Sequence, residues 1–239
     1  MLSKKITSRE QSSQVTGGDR PKVFVIGFSK TATTTIHKFF ANSGYNSVHW
    51  DLADGRFLAG VVVTNVLSGR PILATIDDFD VYSEFSYADG KLYLEANYFF
   101  EELYGEYPDA YFLLNTRDTD SWVASRKRHF GRNIKARGAL HERIGRAYGV
   151  SEVETEQIWR SYKPAFHKRV TDFFSSRKDA RFLEFDIVND SVEQLITWLK
   201  PHYSLAPELW SAENVTAEQE KIRRLQRNPF ARLLRKLAR

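Results

Sequence analysis

Lys22-Val23-Phe24-Val25-Ile26-Gly27-Phe28-Ser29-Lys30-Thr31-Ala32-Thr33-Thr34-Thr35 decides the fold. Its first half, Lys22 to Gly27, reads as a strand, and the unbroken apolar run Val23 to Ile26 marks a strand covered on both faces, as in a parallel sheet. Its second half puts a lysine and four threonines where a helical pattern, Thr33 to Ala41, begins. Such a junction offers free backbone N–H groups, the positive end of a helix dipole, hydroxyl donors and a mobile cation, which together suit a phosphate or sulfate. It is not a Walker A loop, G-x-x-x-x-G-K-[ST]: only Gly27 is available, and Lys30 precedes the threonine run.

Working outward, Asn46 to His49, Ile72 to Asp77, Ala110 to Thr116 and Arg181 to Asp186 also read as strands. Helical patterns lie between and after them, at Leu92 to Tyr104, Asp120 to His129, Glu154 to Ser176 and Ser191 to Lys200. The alternation predicts an α/β domain around a central, mostly parallel five-stranded sheet. Ligands of such sheets bind outside the carboxyl ends of the strands. Each predicted strand ends on a polar group: the Ser29 to Thr35 loop, then His49 and Asp51, Asp77 and Asp78, Arg117 and Asp118, and Asp186.

The 239 residues are 42% hydrophobic, enough for one well-packed domain with appendages, and exclude wholesale disorder. With no cysteine, disulfides, zinc–thiolate sites and thiol nucleophiles are excluded. No apolar run approaches the ~20 residues of a membrane span. Met1 to Gly18 lacks the apolar stretch of a secretory signal, so a cytoplasmic protein is expected. Residues 1–20 read as a flexible arm, residues 21–212 as the α/β domain and residues 213–239 as a basic helical extension. From Ala217 to Arg239, eight basic residues face two acidic ones, so the net charge of +5 comes from this extension. After Pro229, Phe230, Leu233, Leu234 and Leu237 fall at helical spacing with arginine and lysine between them. That amphipathic stripe either docks on the parent domain or meets an anionic membrane or a partner.

A second signal is Asn115-Thr116-Arg117-Asp118-Thr119-Asp120-Ser121-Trp122-Val123-Ala124-Ser125. Arg117 leaves a strand end and Ser125 lies on the following helix, so a planar guanidinium and a hydroxyl are set to close on one terminal phosphate. Here the chain resembles the sulfotransferases that use 3′-phosphoadenosine 5′-phosphosulfate (PAPS), above all the bacterial sulfotransferase-like P-loop proteins. Gly27 to Thr34 resembles their 5′-phosphosulfate loop, K-[ST]-G-T-T, and Arg117 with Ser125 eight residues later resembles their 3′-phosphate motif. Weaker similarity runs through Leu73 to Asp77, Tyr162 with His167, and Phe182 to Asp186, covering about residues 22 to 200. The resemblance implies a P-loop-like three-layer fold. Ala32 stands where the family usually has glycine, and the family's C-terminal Arg-Lys-Gly segment is not visible, which leaves Arg126, Lys127, Arg128 or Arg132 as further cations for the 3′-phosphate.

The resemblance also implies the chemistry. Ser29, Lys30, Thr31, Ala32, Thr33, Thr34 and Thr35 hold the 5′-phosphosulfate of PAPS, the cosubstrate, and Arg117 with Ser125 holds its 3′-phosphate; no metal is required. Lys30 stabilises the charge that grows on the bridging oxygen of the departing nucleotide. His49, preferred, or Asp77 takes the proton of an acceptor hydroxyl or amine. The acceptor is a small molecule, glycan or lipid. The eight basic residues and one acidic residue from Arg126 to Arg146 either form a solvated face or gather an anionic ligand, and nucleic acid is not expected. Two rival readings stay open: a P-loop kinase or nucleotide hydrolase using Asp77-Asp78, and an idle scaffold that holds a membrane or protein partner through its C-terminal helix.

Overall fold

The computed structural model describes residues 20–129 and 138–211, so most of the N-terminal arm and the basic C-terminal extension lie outside the described residues. Five strands, β1 (Val23–Val25), β2 (Ser47–His49), β3 (Val81–Ser83), β6 (Tyr111–Thr116) and β7 (Arg181–Asp186), form one sheet in the order β2-β3-β1-β6-β7. Every neighbouring pair in it is parallel. A separate antiparallel hairpin joins β4 (Ser86–Ala88) to β5 (Tyr93–Glu95).

Alternation along the strands makes two cores. On one face Phe24, Ile26, Tyr82, Phe112 and Leu114 pack against α2 (Leu58–Leu67), α3 (Phe100–Glu106), α4 (Thr119–Lys127), α5 (Leu140–Tyr148) and α6 (Glu152–Ser175). On the other, Val23, Val25, Val81, Tyr111 and Leu113 pack against α1 (Thr33–Asn42) and α7 (Val192–Leu199). The molecule is thus a three-layer α/β domain of the P-loop-like kind. No helix among the described residues is long and apolar enough to cross a membrane.

The sequence expectation fails in two places. Ile72 to Asp77 is not a strand: Ile72, Leu73 and Ile76 are buried in a turn whose carbonyls at Ile72 and Ala74 accept from the Asn65 amide at 3.1 and 2.9 Å. The third sheet strand lies further on, at Val81–Ser83. Leu92 to Tyr104 is not one helix either. Tyr93–Glu95 pairs with Ser86–Ala88 across a turn in which Gly90 has φ 96° and the Asp89 carboxylate accepts from the Lys91 and Leu92 amides. A short 3₁₀ turn, Ala96–Phe99, then leads into α3.

Candidate active site

From β1 the chain crosses through α1 to β2 on one side, and from β3 it crosses to β6 on the other. The carboxyl ends of adjacent β1 and β6 therefore flank the switch point of the sheet, where such folds bind their ligands. The loop after β1 is tied to β6 by one amide. Asn115 accepts from the Gly27 N–H at 2.9 Å and donates to the Thr31 carbonyl at 2.7 Å. A Cβ at Gly27 would fall 2.0 Å from the Asn115 carbonyl oxygen, so only glycine permits this approach. From the side, Trp122 on α4 donates to the Ser29 carbonyl at 2.8 Å.

Left-handed residues shape the strand tips. Lys30 has φ 72° and Ala32 φ 65° after β1, Trp50 has φ 64° after β2, and Glu84 has φ 63° after β3. Four non-glycine residues held this way mark a rim whose shape the surrounding packing enforces. Ala32 is also the N-cap of α1, and it offers no side-chain cap; the first turn carries no acidic residue. The start of α1 thus presents its positive dipole end with no acidic side chain in the first turn, as suits an anion.

The threonines divide by role. Thr31, fully buried, donates its hydroxyl to the Phe28 carbonyl at 2.6 Å and receives Asn115, so it locks the loop rather than facing a ligand. Thr33 donates to the Glu84 carboxylate at 2.7 Å, and the Thr34 hydroxyl lies 3.3 Å from Nε2 of His49. Thr35 is buried on α1. The Ser29 hydroxyl is buried without a hydrogen-bond partner among the described residues, as is Nε of Arg117.

Cations gather around these orphaned groups. Burial pushes the Lys30 ammonium below the ordinary 10.5; Glu84 opposes that, and Arg117 and Arg128 add to it. Arg117 is lowered likewise, first by burial and then by Arg128. The three cations lie within one another's fields, offset by Glu84 at Lys30 and by Asp118 and Asp186 at Arg117. Ser125 lies on α4, three residues after Trp122. Of the other expected cations, Arg126 is unavailable: its buried guanidinium sits 4.8 and 4.5 Å from the rings of Trp122 and Trp159, donates to Tyr93 and Tyr162, and pairs with Glu95 at 3.3 Å. Lys127 is paired with Glu152 and Glu156 at 3.1 Å each. Arg132 lies outside the described residues.

His49 reaches the same place from β2. Its Nε2 lies 3.3 Å from the Thr34 hydroxyl and 3.4 Å from the Thr33 oxygen, whose own proton is given to Glu84. The contact to Thr33 is therefore made by an Nε2–H donor. Beside it an open groove of about 310 Å³ is lined by Thr34, His37, Lys38, His49, Asp51 and Phe79. Asp77 must be moved out of the site. It lies at the opposite, amino-terminal rim of the sheet, 3.0 Å from the Lys22 ammonium and accepting from Tyr107 at 3.0 Å.

The sequence reading missed three residues here. Asn115 announced itself only as an amide in an apolar strand, and Glu84 was hidden because the strand before it was placed too early. The third, His129, lies two residues past the end of α4 with its Nδ1 3.4 Å from Nζ of Lys30.

The loop that holds Lys30 thus lies at the switch point of this parallel α/β domain, where such folds bind their ligands. A family model described as a sulfotransferase domain matches residues 22–205, and the chain belongs to that family. No curated protein matches the chain.

Proposed function

We propose that the protein transfers a sulfuryl group from PAPS to a hydroxyl or amine of a small-molecule, glycan or lipid acceptor, releasing adenosine 3′,5′-bisphosphate. Membership of the sulfotransferase domain family supports the reaction class. The observation that carries the donor is the meeting of Lys30, just before α1, with Arg117 at the end of adjacent β6 and Arg128 at the end of α4. In this reading Ser29, Lys30 and the amides of Ala32 to Thr35 receive the phosphosulfate, and Arg117 with Ser125 receives the 3′-phosphate.

The acceptor, delivered along the groove beside His49, attacks sulfur in line. The new O–S bond forms as the bond from sulfur to the bridging oxygen breaks, and that oxygen leaves with the electron pair. Lys30 faces the growing charge, and His49, its ring held by Thr33 and Glu84, takes the acceptor's proton. The kinase reading loses its support with Asp77 on the far rim.

Calorimetric titration tests this reading. Adenosine 3′,5′-bisphosphate is expected to bind without metal and more tightly than ATP with Mg²⁺; preference for the Mg²⁺ complex of ATP, or binding of neither, refutes it.

A further inference from the structure

His129 contributes nothing to the chemistry above, yet its ring touches the central cation of the site. Nδ1 lies 3.4 Å from Nζ of Lys30, and an ammonium only donates, so Nδ1 carries the lone pair and the imidazole is neutral. The backbone is held there as well: the His129 carbonyl accepts from the Leu140 amide at 2.7 Å. The charges that face the ring come from every side. Lys30 from the loop, Arg143 from α5 and Arg126 from α4 oppose its protonation, and Glu84 after β3 favours it. Arg143 is buried and donates to the Ala88 carbonyl at 2.9 Å, and Arg126 is locked to Glu95, so neither can move away.

We infer that His129 is an anion-binding residue of the loop: it accepts a hydrogen bond from Lys30 before an anion binds, and it takes up one proton from solvent when an anion draws Lys30 onto itself. Two changes act together at that moment. Nδ1 loses its donor, and negative charge enters a space ringed by cations, so the imidazolium becomes the favoured form and adds a positive charge to the site. Burial foremost, then Lys30, holds the ring at about 4 instead of 6.5, so near neutral pH the proton is absent until the anion supplies the reason for it.

The assignment rests on the donor reading above, and the probe is adenosine 3′,5′-bisphosphate. Its association constant is measured from pH 7.5 to 5.5 for the wild type and for His129→Gln, so that titration of the ligand's own phosphates cancels in the ratio. A return of the complexed ring to its ordinary value of about 6.5 makes that ratio rise about tenfold over the range as pH falls. In parallel, the ring resonance of His129 in the wild type, followed by NMR, is expected to titrate above pH 6 with the bisphosphate bound and near 4 without it. The NMR arm stands even if the variant does not fold. An unchanged ratio, or a ring that stays neutral at pH 5.5 with ligand bound, overturns the assignment alone. Absence of bisphosphate binding at every pH overturns the donor reading and this assignment together.

Discussion

Ala32 shows how much a single backbone angle decides. It holds φ 65° at the N-cap of α1, a left-handed conformation that for alanine is unfavourable by roughly 1–2 kcal/mol, and alanine is also among the poorest N-caps. Glycine escapes both penalties at the expense of a more flexible unfolded chain. Ala32→Gly is therefore expected to stabilise the protein by about 0.5–1 kcal/mol in urea unfolding, and a destabilised variant would contradict the strain argument. Individual residues were legible in the sequence wherever a charged or hydroxyl group followed a correctly placed strand. Lys30, His49 and Arg117 are of this kind, and all three stand at the carboxyl rim. Glu84 and His129 were not legible, since their roles depend on contacts across 51 and 99 residues of chain that no local pattern encodes.

Elements were legible in proportion to their length and regularity. β6 and β7, six residues each, and α1 and α6 lie within a residue or two of where periodicity puts them. The short β3 escaped because the apolar run before it, Ile72 to Ile76, buries its side chains as a turn, and a brief apolar run has the same composition in either state. The β4–β5 hairpin carried its own mark in Asp89-Gly90, overridden in the reading by the helical spacing that follows. What binds these elements into a site is the contact between the β1 loop and β6. Gly27→Ala drives a methyl into the backbone of Asn115, so it is expected to destabilise by about 2 kcal/mol or more and to abolish bisphosphate binding, read by urea unfolding and calorimetry. A variant of wild-type stability would show that the loop shifts freely on β6.

Across the whole molecule, buried ionisable groups set the response to acid. Burial, and for His129 the nearby Lys30 as well, holds His129 and His167 at about 4, below their ordinary 6.5. The unfolded chain thus binds more protons than the folded one between those values, and stability is lost as pH falls from about 6.5 towards 4. Glu95 acts in the opposite sense, since burial raises it from 4.5 to about 7, and its contribution is lost as pH rises through that window. His167→Gln isolates one contribution: relative to the variant, the wild type is expected to lose about 1 kcal/mol per pH unit between pH 6.5 and 4, and a pH-independent difference would exclude it.

Asn115 stands on β6, two residues before Arg117, which follows the strand directly, and it also fastens the lysine loop. Both grips are consequently mounted on a single rigid bar. The spacing between them rests on the strand and on the two hydrogen bonds of Asn115, so on the proposed donor reading the rim works as a ruler. Under that proposal a nucleotide is judged by the span between its two anionic ends, and one of a different length is expected to engage a single grip while the other stays idle.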